Sequence, residues 1–463
     1  MLRTMPDAFV DLIYLDPPFN SNRAYNIIYP GDLGQVTAFE DTWTWTPECD
    51  RHLTDIEART DELSRLLPAL IAGIGKTQLS AYLINMAVRL VEIWRVLKAT
   101  GSLYLHCDPT ASHYLKIVLD AIFGRKQFRN EIVWDYSFRL MDLPHFFNRK
   151  HDILFFYAKG AAAFFAMPKE PWTREDIIRT RKQKIHRDEQ GNELIWMPGG
   201  KGNSKNKLKK LSDIIQEGKA MSDVWQIPTL TSSSKERLGF PTQKPLALLD
   251  RIVRASSNPG DLILDPFCGC GTTIEAAENA GRAWVGIDMT YAAIAAIKER
   301  FKRKRIDVLN RIEIIGQPQS VADVDNSLLN QGSPLYARKE FEKFCVAVIG
   351  GVPNNKMGAD GGIDGRIALA GKKQAIISVK SGKVDVRQIR ELRGLLTTKQ
   401  VAGVFITRQR PTQPMVEFIN QAGLIQGESS GLFKGSVYPA LQILTLEEIL
   451  AGKQPELPYA NPS

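Results

Sequence analysis

The sequence predicts an α/β protein built as two units, a larger one carrying a basic insert and a smaller C-terminal one. Three observations predict it. Apolar runs of strand length alternate with stretches whose apolar residues recur every three or four positions, as in a sheet covered by helices. The chain, at 463 residues, is long enough for about two or three domains. A polar stretch from Gly316 to Pro334 with little apolar periodicity separates two alternating regions.

The first element is Phe9-Val-Asp-Leu-Ile-Tyr-Leu15, a run of the length and residue type of a buried parallel strand. Asp16-Pro17-Pro18-Phe19 ends it, because two prolines allow neither helix nor ladder to continue. Leu79, Leu83, Met86, Leu90, Ile93 and Leu97 then keep helical spacing, with Thr77 as N-cap, Gly101 past the end and a strand Leu103-Tyr-Leu-His106 after it. Between about 137 and 225 the alternation fades. Residues 168 to 220 hold 13 Lys/Arg against 8 Asp/Glu, an excess of five out of the chain's nine. The pattern resumes with strand Asp261-Leu-Ile-Leu264, helix Thr273–Ala280 closed by Gly281, and strand Ala283-Trp-Val-Gly-Ile287 ending in Asp288. Beyond the linker at 316–334 lie a helix near 335–349, a glycine-rich loop, strand Ala375–Val379, a helix near 386–397 and strand Ala402–Ile406. The C-terminal unit is bounded at 335–450, and the tail 451–463, with Pro455, Pro458 and Pro462, reads as disordered.

Hydrophobic residues at 44% and charged residues at 24% exclude wholesale disorder. An uncharged apolar run of about 18 residues is lacking, which argues against a membrane partner, and Met1–Asp11 lacks the parts of a secretory signal. Five scattered cysteines do not make a disulfide framework, so the expected compartment is a reducing cytoplasm. The net charge of +9 favours a polyanionic partner.

Two constellations carry chemistry in the first unit. Asp265-Pro-Phe-Cys-Gly-Cys-Gly-Thr-Thr273 lies between a strand and a helix, and Gly269 and Gly271 permit a tight turn close to a ligand. Asp288 follows at roughly the 20-residue spacing at which an acid accepts from a ribose diol. Ile274 stands where a dinucleotide fingerprint has its third glycine, and the phosphate-loop Gly-Lys-Ser/Thr is missing, so a nucleoside cofactor without pyrophosphate suits the turn better. Cys268-x-Cys270 is spaced too closely for a zinc pair. Asp16-Pro-Pro-Phe19 suits amine methylation. An exocyclic nucleobase amine is a poor nucleophile, and a carboxylate with a main-chain carbonyl accepting its N–H bonds favours the pyramidal nitrogen as a bond forms. Phe19 offers a face for a base drawn out of the duplex. A plain strand-ending turn is the alternative for either motif.

Together Asp16-Pro-Pro-Phe19, Pro241-Thr-Gln-Lys-Pro245 and Asp265-Pro-Phe-x-Gly-x-Gly-Thr-Thr273 resemble the β class of amino-group DNA methyltransferases, across residues 1–315. The resemblance implies a circularly permuted, Rossmann-like sheet, S-adenosylmethionine as cofactor and double-stranded DNA as partner, with a homodimer as in many relatives. It implies that Asp16 and the Pro17 carbonyl hold the amine, with Pro18 fixing the turn and Phe19 stacking on the base. Asp265, Phe267, Gly269, Gly271 and Thr272 would surround the cofactor's methionine part, Asp288 would take its ribose, and Lys244-Pro245 would close the far wall. Phe19 behind a leading Asp leans towards adenine N6 over cytosine N4. Carbon-5 methylation is disfavoured, since it needs a cysteine nucleophile, usually in a Pro-Cys pair that this sequence lacks. Members usually carry a strand ending in Gly-Asp ahead of the segment like Leu2–Asp7; the sequence starts after it, so either the true start lies upstream or cofactor binding is weak. The basic stretch falls where the class has its target-recognition domain, with Arg179, Arg181, Gln183, Asn203 and Asn206 able to read base edges.

In the second unit Gly358-Ala-Asp-Gly-Gly-Ile-Asp-Gly365 precedes a short strand, and Ile376-Ile-Ser-Val-Lys380 ends another. The pattern resembles Mrr-type PD-(D/E)xK restriction endonucleases over about 335–425. That resemblance implies Glu342 as first-helix acid, Asp364 as ligand of a Mg²⁺ ion, Asp360 as a further acid and Lys380 as the catalytic lysine. Ser378 departs from it, standing where a carboxylate or Gln is usual. A catalytically silent DNA clamp and a plain hairpin remain the alternatives there. The six histidines form no recognisable site, and His106, in an apolar strand, reads as a hydrogen-bonded core residue.

Overall fold

A computed structural model describes the chain except residues 20–22, 29–34, 137–141, 143–144, 199–205, 232, 241, 331–332, 355–361, 428–434 and 460–463. Seven strands form the main sheet: β1 (Val10–Leu15), β2 (Leu97–Cys107), β3 (Phe128–Asp135), β4 (His151–Ala158), β5 (Val224–Gln226), β6 (Leu262–Asp265) and β7 (Ala283–Gly286), in the order β5-β3-β4-β2-β1-β6-β7. β1 runs parallel to both neighbours, pairing Leu12 with Ile263 and Ile13 with Leu264 of β6. β6 and β7 are also parallel, while β4 is antiparallel to β2 and β3.

β1 is apolar on both faces because both are covered. Ile13 and Leu15 join one core, and Leu12 and Tyr14 join the other. Helices α1 (Gln78–Val96) and α2 (Ser112–Phe123) build the first core; α3 (Leu246–Ser256) and α4 (Thr272–Asn279) build the second. Asp11 reaches across three strands, accepting from Lys98 Nζ at 2.8 Å and from the Leu262 amide at 3.0 Å. Thr77 caps α1 in a reciprocal box with Ser80. Gly101 does not mark that helix's end: α1 stops at Val96 and passes directly into β2, which contains Gly101. A Cβ there would sit 2.9 Å from the Asp11 carbonyl, so the glycine is required by the close approach of β1.

The insert expected over about 137–225 starts too early at that bound. His151–Ala158 is a buried antiparallel strand of the main sheet, and Val224–Gln226 pairs with β3. The excursion between them holds helices Arg174–Arg181 and Leu211–Glu217, a three-stranded antiparallel sheet, and a core of Ile177, Ile195, Leu211 and Ile214. Asn203, expected among the base readers, lies outside the described residues.

Helix α5 (Tyr291–Lys304) follows β7. The stretch expected to be a linker is partly structured: Val321–Val324 and Asp325–Leu329 are short helical turns that bury Val324 and Leu328 in the core of the C-terminal unit. Helix α6 (Pro334–Val348) opens that unit, whose sheet is β8 (Val352–Pro353), β9 (Gly365–Ala368), β10 (Gln374–Lys380), β11 (Gln400–Thr407) and β12 (Leu441–Thr445), neighbours in that order. Helix α7 (Val386–Gly394) connects β10 to the parallel β11. The tail, expected to be disordered, is tied down as far as Tyr459. Leu457 is buried, and Tyr459 bridges to Leu369, because the C-terminal core needs that apolar cover.

Candidate functional site

The parallel pairing of β1 with β6 sets two turns side by side at the carboxyl ends of adjacent strands, the usual position of a ligand crevice in an open α/β sheet. Asp16–Phe19 and Asp265–Gly269 line one cavity of about 1120 Å³, with Thr272, Asp288 and Lys244.

The turn after β6 is held by its own acids. Asp265 accepts from the Phe267 amide at 3.0 Å and from Thr273 Oγ1 at 2.6 Å. Burial pushes its carboxyl up to about 7 against those two hydrogen bonds, with Asp16 and Asp288 adding repulsion. Asp288 Oδ2 accepts from the Gly269 amide at 3.0 Å, and Oδ1 accepts from both the amide and the hydroxyl of Thr290 at 2.9 Å. Burial raises the Asp288 carboxyl too, with those bonds working against it. Gly271 has φ of +76°, and a Cβ on it would come within 2.8 Å of Ile297 Cγ1. Arg300 on α5 reaches under the turn, donating to the Cys270 carbonyl at 2.7 Å and Thr272 Oγ1 at 3.2 Å and pairing with the buried Glu275. Cys268 and Cys270 are buried, and burial pushes both thiols up. Among the described residues no group of three or more potential metal ligands occurs.

At the other turn Asp16 is not alone. Lys244 Nζ lies 2.5 Å from its Oδ2, so this lysine, expected at the far wall of a cofactor pocket, stands at the carboxylate. Pro245 behind it is the N-cap of α3. The segment keeps its shape through Gln243, which accepts from the Leu238 amide and donates to the Glu236 carbonyl. Phe19 sits with its ring centroid 5.6 Å from that of His106 and 5.5 Å from Lys244 Nζ, and Pro17 is buried beneath the turn.

His106 is the hydrogen-bonded core residue expected, and it lies beneath this turn. Its Nδ1 is 2.9 Å from the Tyr14 hydroxyl and 3.7 Å from Asp16 Oδ1, and its Nε2 is 3.1 Å from Asp152 Oδ2. Burial works to raise Asp152, but the hydrogen bond and charge of His106, with Lys244 and Tyr136, hold it below the usual carboxylate range. Asp16, His106 and Asp152 thus form a chain beneath the turn. The signal that could have found His106 is positional, since it stands one residue from the end of β2, as Asp16 stands just past β1. Asp152 has no comparable local mark. A second cavity of about 310 Å³, lined by Trp134, Tyr136, Asp152 and Arg237, shares Phe240 and Thr242–Lys244 with the first.

The C-terminal unit gathers a second acidic and basic group. Asp364 Oδ2 accepts from the Val379 amide at 2.7 Å and lies 3.5 Å from Lys380 Nζ. Burial raises the Asp364 carboxyl, with Lys380 opposing most. Glu342, buried on α6, is met by Arg338 at 2.9 Å and Lys339 at 2.8 Å. Each carboxylate is therefore already neutralised by a cation, and Ser378 adds no charge. The donor set among the described residues does not fit a divalent cation. Asp360 lies outside the described residues.

A glycine turn and an acid on adjacent parallel strands thus open into one cavity with an acidic Pro-Pro turn. The chain belongs to the N6/N4 DNA methylase family, which matches residues 10–299, and residues 336–428 match the Mrr-type restriction endonuclease family. It is 27% identical to the type II methyltransferase M.EcaI of Enterobacter cloacae, covering 53% of this chain and 66% of that protein. With the type II methyltransferase M.BamHI of Bacillus amyloliquefaciens it shares 29% identity, covering 66% of this chain and 56% of that protein. It thus spans less than two thirds of either relative. Among solved structures, PvuII DNA methyltransferase (cytosine-N4-specific) aligns at 15% identity over 67% of this chain and 88% of that one, with a TM-score of 0.38, a likeness too slight to bear on function.

Proposed function

We propose that the chain transfers a methyl group from S-adenosylmethionine to the exocyclic amine of a base flipped out of duplex DNA, and that the base is adenine, modified at N6. The observation that carries this is the single cavity lined by Asp16–Phe19, the Asp265–Gly269 turn and Asp288. The cradle suits the cofactor: a turn whose glycine leaves no room for a side chain, next to acids that favour a cationic ligand. When bound, that cofactor supplies an electrophilic methyl on a sulfonium; the S–CH₃ bond breaks as the N–C bond forms, leaving a thioether.

The protein's part is positioning and charge. Lys244 occupies Asp16 Oδ2, which leaves Oδ1 and the Pro17 carbonyl to accept the two amine N–H bonds. The nitrogen must lose one proton, and Oδ1 with His106 and Asp152 behind it is the group placed to receive it. Phe19 and the Phe240-lined second cavity offer apolar surface to the base.

The test is duplex DNA incubated with labelled S-adenosylmethionine and digested for modified bases. N6-methyladenine is expected, with methyl transfer reduced at least a thousandfold in Asp16→Ala while cofactor binding persists. N4-methylcytosine would overturn the adenine assignment, and wild-type rates in Asp16→Ala would remove Asp16 from the mechanism. The alternative, a DNA-binding regulatory protein with a degenerate site, predicts undetectable cofactor affinity by calorimetry.

For the C-terminal unit we infer that it holds DNA without cutting it, since Lys380 already lies against Asp364 and Ser378 brings no carboxylate to that strand. Five free, buried cysteines suit a reducing cytoplasm. No helix among the described residues is long and apolar enough to cross a membrane. A homodimer, which the resemblance implies, is checked by sedimentation.

A further inference from the structure

Of the residues lining the large cavity, several come from the C-terminal unit: Tyr336, Glu340, Lys343, Ala347 and Pro353. The first four are on α6, spaced by four, three and four positions, so they form one helical face. Phe341, Phe344 and Cys345 turn into the C-terminal core. The helix is fixed at this place by an aromatic contact. The Tyr291 ring, at the start of α5, meets Phe344 edge-on with centroids 5.0 Å apart. Tyr291 stands just beyond Asp288, so α6 abuts the loop after the acid assigned to the ribose.

The direction of the ligand follows from the turn. The Asp265–Gly271 segment takes the methionine part and Asp288 the ribose, so the nucleobase lies beyond Asp288, along Met289–Ala292. Met289 is 95% exposed and covers little there, whereas α6 faces this end with a phenol, a carboxylate and an ammonium. Tyr336 is 58% exposed, and Glu340 and Lys343 pair at 2.8 Å on the cavity wall. A ring face for stacking beside a carboxylate able to accept from an exocyclic amine is a set that recognises an aminopurine.

We propose that the cofactor pocket is a composite of the two units, and that Tyr336 and Glu340 of α6 bind the adenine end of S-adenosylmethionine. The proposal rests on the cofactor assignment above and adds binding residues from outside the methylase-family match, which ends at residue 299. Glu340 accepts from the adenine amine and so selects adenosyl over inosyl ligands, while Tyr336 covers the ring.

Calorimetry on the full chain tests it, with S-adenosylmethionine, S-adenosylhomocysteine and S-inosylhomocysteine as titrants. Tyr336→Ala and Glu340→Ala are each expected to weaken S-adenosylmethionine about tenfold, with the unliganded Tm unchanged because both side chains face the cavity. The wild type should prefer the adenosyl over the inosyl thioether, and Glu340→Ala should lose that preference. If Glu340→Ala lowers the unliganded Tm, the isosteric Glu340→Gln supplies the reading. Should Asp288→Ala weaken binding while the Tyr336 and Glu340 variants bind and discriminate as the wild type does, the composite pocket is overturned and the cofactor assignment stands. If the wild type binds no S-adenosylmethionine, both fall.

Discussion

At the scale of single residues the site is governed by how many acids share little water. Asp265 has an ordinary value of 3.8 and is pushed up to about 7, chiefly by burial. Its contribution to folding is therefore fully present below the unfolded value and is lost as pH rises to about 7, where it levels off. Ligand binding carries the opposite sign. A sulfonium favours the ionised carboxylate, so affinity for S-adenosylmethionine should rise from pH 6 to pH 8, by about tenfold if only the ionised form binds. S-adenosylhomocysteine, without the sulfonium charge, should rise less, and Asp265→Asn should flatten the profile; equal affinities at both pH values in the wild type would remove Asp265 as the responsible group. Ser378 makes a separate residue-scale case. It is 4% exposed and shares a strand face with Lys380, two positions on. Ser378→Glu would bury a carboxylate beside Asp364, lowering Tm by several degrees without metal. Mg²⁺ should recover that loss in the variant and leave the wild type unmoved; a wild-type Tm that rises with Mg²⁺ would show that the native donor set already binds it.

At the scale of elements, the two turns that line the large cavity are as good as the strands and helices that clamp them. The turn after β6 is braced from below by α5, whose Arg300 is buried among Glu275, the Cys270 carbonyl and Thr272. Arg300→Leu should cost about 3–5 kcal/mol in denaturant unfolding, the range for removing one partner of a buried pair, and Arg300→Lys should not restore it, since one ammonium cannot span the three acceptors. A loss under 1 kcal/mol would mean that the turn stands without its brace. Much of this was legible in the sequence where the cause is local. Pro17 and Pro18 end β1 wherever the chain goes, Thr77 caps its helix, and the glycines at 269 and 271 announce a tight turn. What was illegible is what only pairing decides. Gly101 read as a helix stop because its reason, the Asp11 carbonyl of the neighbouring strand, lies far away in sequence. Lys244 could be placed near the cofactor motif but not at Asp16, and Asp152 becomes visible only once β4 lies against β2. Val324 and Leu328 carry too little periodicity to signal a helical turn, yet the C-terminal core holds them in one.

At the scale of the molecule, charge is distributed unevenly, and the excess is not spread over the main sheet. Five of the nine excess positive charges lie in 168–220, a small unit with its own core between two strands of the main sheet. Its core explains how a run so rich in lysine keeps a shape: Ile177, Ile195, Leu211 and Ile214 are buried, with Trp172 and Met197 packed against them, while Lys182, Lys184 and Lys207 stay exposed. A folded basic module is suited to holding phosphates, and such binding is driven by counterion release. Duplex affinity should therefore fall steeply with salt, and each phosphate contact removed should lower the slope of log K against log salt by about 0.9. Replacing Lys182, Lys184 and Lys207 together by Ala should reduce that slope by about two to three while leaving S-adenosylmethionine affinity unchanged, because none of them lines the cofactor cavity. Fluorescence anisotropy across a salt series reads the first quantity and calorimetry the second. An unchanged slope would move the DNA footprint off this module, and a matching loss of cofactor affinity would mean that the substitutions had disturbed the main sheet.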